Sequence, residues 1–162
     1  MGGTGLPSTV APGTSLPQPP ATIGPTTSTG PVVDTGDVSG FGVVEVVVEG
    51  QVVWVAVADD AVRRSRGLRG VQSLGDLAGM LFTWGGVDVE ARFTMADTLI
   101  PLDIAFLDAD GVVLGVVEMQ PCPGAPCPTY GIDVPFRMAL ESPKGSLGPA
   151  VGDVVGVEGA QP

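Results

Sequence analysis

The chain has 162 residues, of which 18 are acidic and 7 are basic, so its formal net charge is −11. It contains no histidine, which excludes a Ser-His-Asp triad and a histidine-ligated metal site. The acidic balance argues against nucleic-acid binding, and no apolar run is long enough to span a bilayer. We predict no catalytic residue set, no cofactor and no metal site.

Residues 1–40 are rich in Gly, Pro, Thr and Ser, as in "GTSLPQPPATIGPTTSTGP" at 13–31. Such a segment has too little apolar surface to offset the entropy lost on ordering its backbone. We therefore predict a disordered N-terminal linker or tail over 1–40. A spacer of this kind ahead of a compact domain is typical of exported and surface-tethered proteins.

Residues 41–158 are predicted to form a single β-rich domain, because valine and other strand formers dominate them. Two hairpins are expected, one over 42–58 with a turn at Glu49-Gly50, and one over 102–119 with a turn at 108–111. A further strand over 134–141 alternates apolar and polar residues. We expect it to be half-buried with its start at a sheet edge.

One helix is expected over "AVRRSR" at 61–66, with Asp59 or Asp60 as its cap and Gly67 as its stop. A second short turn is expected in "GSLGPAVGD" at 145–153. The predicted fold class is mainly β, a two-layer β-sandwich-like domain with one or two short helices.

Several strings between residues 55 and 157 occur in the order typical of one family. They are "VADDAVRRSRGLRG" at 57–70, "GMLF" at 79–82, "FTMADTLIPLDIAFLDADGVV" at 93–113, "PCPGAPCPTY" at 121–130 and "VGDVV" at 151–155. Together they resemble the domain of unknown function 192 family of bacteria and archaea. The resemblance implies a β-sandwich-like fold, often behind an export signal, with no established activity. Members usually have Trp where this chain has Thr94 and a basic residue where it has Ala96.

Four residues separate Cys122 from Cys127 in a Pro/Gly-rich stretch. A redox pair would need a nearby cation or helix N-terminus to lower a thiol pKa, and the local sequence "PCPGAPCP" offers neither. We favour a structural disulfide, which agrees with an oxidising compartment.

The candidate pocket residues are Asp97, Thr98, Asp103 and Trp84. Asp103 alternates out of phase with the apolar residues of its strand and leaves the face that they bury. We hypothesise that it meets Asp97 and Thr98 at a sheet end, and that Trp84, beside two glycines, faces a ligand. The alternative is that Asp103 accepts backbone hydrogen bonds and fixes the turn before its strand.

A basic cluster in and after the predicted helix contains Arg63, Arg64, Arg66 and Arg69. Its candidate anion-binding residues are Arg63 and Arg66, because guanidinium groups bind phosphate and carboxylate bidentately. The alternative is a solvated helix face whose arginines pair with Asp59, Asp60 and Asp76.

The function that we favour is an exported binding or interaction module without evident catalytic machinery, in the extracellular space or cell envelope. Its partner is an unknown small ligand or protein. One alternative is a carboxylate- or metal-dependent enzyme that uses Asp97 and Asp103 on a carbohydrate or an envelope polymer. Another is a structural component of a surface assembly.

Overall fold

A computed structural model describes residues 1–5 and 33–158. The chain divides into two compact units, residues 1–31 and 32–162. Of the first unit only residues 1–5 are described, and they form exposed coil. The predicted disordered linker falls mostly on residues 6–32, outside the described residues.

The second unit is mainly β, which confirms the fold class expected from the sequence. Its elements in chain order are β1 (Gly42–Val48), β2 (Gln51–Ala58), α1 (Ala61–Arg66), β3 (Gly79–Thr83), β4 (Phe93–Thr94), β5 (Leu102–Leu107), β6 (Val113–Met119), β7 (Thr129–Tyr130), β8 (Met138–Pro143) and β9 (Gly156–Val157). Seven strands form one sheet in the order β6-β5-β8-β3-β2-β1-β9, and β4 pairs with β7 in a second sheet. Both expected hairpins, β1–β2 and β5–β6, are present.

The C-terminal segment joins the two edges of the large sheet. The Val155 N–H donates to the Gly111 carbonyl and the Val113 N–H donates to the Asp153 carbonyl, at the start of β6. Immediately afterwards, β9 pairs with β1 at the opposite edge. The sheet is therefore curled, and its unpaired edges are shortened at this end.

Each face of the curled sheet has its own hydrophobic core. Along β5, Leu102, Ile104 and Phe106 belong to one core, whereas Ala105 and Leu107 belong to the other. The second of these, the inner core, lies within the curl and includes Val155 from the closing segment. The first, the outer core, is covered by loops and by the β4–β7 sheet.

Strand β8 differs from its prediction. It covers Met138–Pro143 rather than 134–141, and it lies in the middle of the sheet between β3 and β5. Both of its faces are covered, because Leu140 packs in the inner core and Ala139 in the outer core. Glu141 follows Ala139 on the outer face by strand alternation, so a residue expected on the exposed side is buried.

Residues 33–40, which the sequence assigned to the linker, pack within the second unit. The Asp37 carboxylate accepts hydrogen bonds from the N–H groups of Gln72 and Ser73 at 3.0 and 2.9 Å, and these bonds lower the pKa of Asp37. Val38 is 2% exposed and packs in the outer core. The packed part of the molecule therefore includes this segment.

Candidate functional site

A cleft of about 310 Å³ opens beside the C-terminal end of α1. Two segments form much of its wall, residues 64–69 and residues 91–94 around β4. Phe82, Trp84, Thr98 and Glu141 complete the lining. The cleft thus lies on the outer face of the large sheet, where β8 and β3 meet the loops that cover them.

The local sequence around α1 explains how its arginines reach this cleft. The Asp60 carboxylate caps the helix by accepting a hydrogen bond from the Arg63 N–H at 2.8 Å. Gly67 ends the helix with φ 50°, a left-handed conformation that glycine adopts readily, and its N–H donates to the Arg63 carbonyl. The helix therefore begins and ends where its sequence predicts, and the chain that follows Gly67 continues along the cleft.

Positive charge is concentrated at the cleft. The chain has six arginines, and four of them line it: Arg64, Arg66, Arg69 and Arg92. Glu141 is the one acidic residue in the described lining. In a chain of net charge −11, this makes the cleft a local cationic region.

Arg64 is held in a fixed position. Its Nη1 donates to the carbonyl oxygens of Asp59 and Thr83 at 2.9 and 2.7 Å. Its guanidinium lies 5.5 Å from the centre of the Trp84 ring, which is a cation–π distance. The remaining N–H groups of Arg64 are thereby oriented by contacts that need no ligand.

Arg69 and Arg92 are bound more loosely. Arg69 lies 3.5 Å from the Asp97 carboxylate, and Arg92 lies 4.0 Å from that of Asp133. All four side chains are substantially exposed, and exposed ion pairs of this kind contribute about 0–1 kcal/mol. An anion entering the cleft can therefore exchange with these carboxylates at little cost.

Glu141 lines the cleft and is 5% exposed. Burial raises its pKa to about 8, because the charged carboxylate loses its hydration. Among the described residues, no group donates a hydrogen bond to the carboxyl. Glu141 is therefore largely protonated at neutral pH and can act as a hydrogen-bond donor.

Aromatic side chains support the base of the cleft. The rings of Phe82 and Phe93 meet edge-to-face at 5.1 Å, and Trp84 contacts Phe93 and Phe136 in the same manner at 6.4 and 5.5 Å. These contacts fix the shape of the cleft and supply apolar surface beside Glu141.

The structure brings together two of the four candidate pocket residues. Thr98 and Trp84 line the cleft. Asp97 does not line it, although it pairs with Arg69, which does. Asp103 lies on the other face of β5, where its carboxylate accepts a hydrogen bond from the Gly145 N–H at 2.8 Å. Asp97 and Asp103 therefore do not form a paired-carboxylate site.

The two candidate anion-binding arginines have structural partners. Arg63 pairs with Asp59 at 3.1 Å, and its Nε donates to the Gly40 carbonyl. Arg66 lines the cleft with part of its side chain, but its Nη1 donates to the Ser39 carbonyl at 2.9 Å. Both arginines hold the chain around residues 39–41 against α1.

The sequence did not predict that three of the site residues would line one cleft. They are Arg69, Arg92 and Glu141. Arg69 was recognised only as part of a basic cluster, and Arg92 and Glu141 lie far along the chain from it. The alternation of β8 placed Glu141 on a polar face. The one sequence signal for the site was the scarcity of arginine in an acidic chain together with its clustering near α1.

Cys122 and Cys127 form a disulfide. The Cys122 N–H donates to the Met95 carbonyl at 3.2 Å, so the disulfide loop lies beside the segment that carries Thr94 and Thr98. Thr94 is part of the cleft wall.

Neither a metal cluster nor a membrane-spanning helix is found among residues 1–5 and 33–158. No three His, Cys, Asp or Glu side chains in these ranges gather closely enough to hold a metal ion. No helix in the same ranges has the length and apolar character needed to cross a membrane.

The sequence of the second unit matches a known protein family. The model of domain of unknown function 192, described as "Uncharacterized ACR", matches residues 44–156. The chain belongs to this family. No curated protein matches the chain. The family match confirms the resemblance noted in the sequence.

Two solved structures are similar to this member of the domain of unknown function 192 family. One is a protein of unknown function from Novosphingobium aromaticivorans DSM 12444, with 28% identity and a TM-score of 0.63, covering 79% of this chain and 93% of that one. The other is described as a candidate transcription regulator from Sinorhizobium meliloti 1021, with 23% identity and a TM-score of 0.62, covering 79% and 98%. At that identity, the second likeness shows the fold alone.

Replacing Glu141 by Gln should stabilise the protein at pH 8 and have little effect near pH 4. The pKa of Glu141 is about 8 in the folded protein and has an ordinary value of 4.5, so the unfolded chain ionises first as the pH rises. The wild-type free energy of unfolding should therefore lose a few kcal/mol between about pH 4.5 and about pH 8. Chemical denaturation of both proteins across this range measures the difference. A constant difference at all pH values would contradict the buried, protonated carboxyl.

Proposed function

We propose that this protein is an exported binding module whose cleft takes a small anionic molecule. The observation that carries the proposal is the placement of four of the six arginines around one cleft of a chain with net charge −11. Arginines that only solvate an acidic surface would not need to cluster in one place. Arginines that share a cleft produce a strong local positive potential, because field lines focus in clefts with low-dielectric walls.

The chemistry of the arginines favours an oxyanion. Guanidinium groups bind carboxylate and phosphate through two parallel N–H···O hydrogen bonds. Arg64 is already oriented by Trp84 and two carbonyls, whereas Arg69 and Arg92 have only weak, exposed partners to give up. The cleft thus combines one fixed and two adaptable cations.

The size of the cleft favours a small ligand. Its volume of about 310 Å³ lies at the lower end of the range of about 300–1,000 Å³ that small-molecule sites occupy. A polymer could present only one residue or one end to it. We therefore assign the cleft to a metabolite-sized anion.

Two observations support export. The Cys122–Cys127 disulfide suits an oxidising compartment, since cytosolic thiols are kept reduced. The Gly/Pro/Thr/Ser-rich composition of residues 1–40 is typical of spacers that precede exported domains.

The anion-binding proposal predicts that the Arg69→Gln/Arg92→Gln double variant binds oxyanions at least tenfold more weakly than the wild type. Acetate, inorganic phosphate and D-glucuronate serve as probes, and NMR chemical-shift titration at low ionic strength reports binding. The matched control is Arg137→Gln/Lys144→Gln, which changes the net charge equally but removes cations that pair with Asp88 and Glu118 outside the cleft. Equal loss of affinity in both variants, or no binding of any probe to the wild type, would refute the anion site.

The export proposal predicts that both thiols of the protein isolated from its native cells are oxidised. Alkylation followed by mass spectrometry should label Cys122 and Cys127 only after reduction. A protein whose two cysteines are alkylated without reduction would indicate a reducing compartment and remove the main support for export.

A further inference from the structure

We infer that the cleft is specific for a small hydroxylated organic acid, whose carboxylate contacts the arginines at the rim and whose hydroxyl oxygen accepts a hydrogen bond from the Glu141 carboxyl. This inference rests on the anion-binding function proposed above and adds the class of ligand to it. It also assigns Glu141 as the residue that selects that class.

The polar groups of the cleft differ in depth. Thr98 and Glu141 are 6% and 5% exposed, whereas the side chains of Arg69 and Arg92 are 42% and 51% exposed. A ligand that fills the cleft therefore meets neutral polar groups at its inner end and cations at its outer end.

The inner end of the ligand must be polar but uncharged. Phe82 and Leu68 line the cleft here, and both are nearly fully buried. An anion placed among them would lose its hydration, and Arg69 and Arg92, the two adaptable cations of the cleft, are 42% and 51% exposed and lie nearer the rim. A purely apolar group would leave the Glu141 carboxyl and the Thr98 hydroxyl without partners, which costs about 1–3 kcal/mol per group.

A ligand hydroxyl satisfies both buried groups. Its oxygen can accept the hydrogen bond that the protonated Glu141 carboxyl donates, and its own hydrogen can be donated to the Thr98 Oγ1. Sites that hydrogen-bond a ligand hydroxyl discriminate strongly against analogues that lack it, because the buried groups are then left unpaired.

The outer end of the ligand is best matched by a carboxylate. Arg69 and Arg92 line the cleft from two separate segments, 64–69 and 91–94. A planar carboxylate can pair bidentately with one guanidinium and still accept from the other. Binding of inorganic phosphate as tightly as an organic acid would show that the rim alone determines affinity.

Binding through Glu141 must depend on pH. The charged groups that line the cleft with it are Arg64, Arg66, Arg69 and Arg92. Its neighbours on the adjacent strands are Met80 on β3 and Ile104 on β5, neither of which ionises. Affinity should therefore fall once the Glu141 carboxyl ionises near pH 8.

Matched probes separate the parts of this inference. Three hydroxy acids carry both a carboxylate and hydroxyls: D-glucuronate, D-galacturonate and D-gluconate. Cyclohexanecarboxylate has a ring and the charge but no hydroxyls. D-glucose has the hydroxyls but no charge. At least one of the three hydroxy acids should bind wild-type protein tenfold or more tightly than cyclohexanecarboxylate and D-glucose at pH 6.5. That affinity should fall about tenfold per pH unit above about pH 8.

Two variants test the roles of Glu141 and Thr98 while keeping the size of each side chain. Glu141→Gln keeps a neutral donor and cannot ionise, so the fall in hydroxy-acid affinity above about pH 8 should disappear. Thr98→Val keeps the volume but not the hydroxyl, and it should weaken the hydroxy acid tenfold while leaving cyclohexanecarboxylate unchanged.

The failure of this inference is distinguishable from the failure of the proposed function. If no anion binds the wild type, both are wrong. If acetate, phosphate and cyclohexanecarboxylate bind as tightly as the hydroxy acids, or if wild type and Glu141→Gln show the same pH profile, the cleft binds anions but the assignment of Glu141 and of the ligand class is overturned.

Discussion

The arrangement of the site depends on the central position of β8. This strand pairs with β3 on one side and β5 on the other, so each of its side chains must enter one of two packed cores. At Glu141 that position places a carboxyl group where water reaches it poorly, and the carboxyl responds by keeping its proton. Burying an ionisable carboxyl costs stability relative to an apolar side chain of similar size, which is why we assign Glu141 a role in the proposed binding function.

Five of the six arginines lie around α1 and the cleft beside it, where they form two groups. Arg63 and Arg66 fasten the chain around residues 39–41 to α1, and Arg64, Arg69 and Arg92 surround the cleft. Arg63 and Arg66 connect α1, which forms part of the cleft wall, to residues 39–41. This segment follows Val38, which packs in the outer core, so the two arginines help to hold the wall in place.

Local features were predictable from the sequence and non-local ones were not. The Asp60 cap, the Gly67 stop and both hairpin turns depend on neighbouring residues, and the structure contains them. The burial of Glu141 depends on pairing with strands that begin about 40 and 60 residues earlier, which alternation alone cannot reveal. Likewise, the alternation of β5 correctly separated Asp103 from Leu102 and Ile104, but it could not show that the cleft lies on the opposite face.

The proposed hydrogen bond to the ligand requires that the Glu141 carboxyl is protonated at neutral pH, and carbon-detected NMR measures this directly. The side-chain carboxyl carbon of Glu141, assigned by comparison with the Glu141→Gln spectrum, can be followed in wild-type protein from pH 4 to pH 10. We predict a single titration step with a midpoint near 8. A midpoint near the ordinary value of 4.5 would place a charged carboxylate at the base of the cleft and contradict both the burial of the carboxyl and the hydrogen bond that it is proposed to donate.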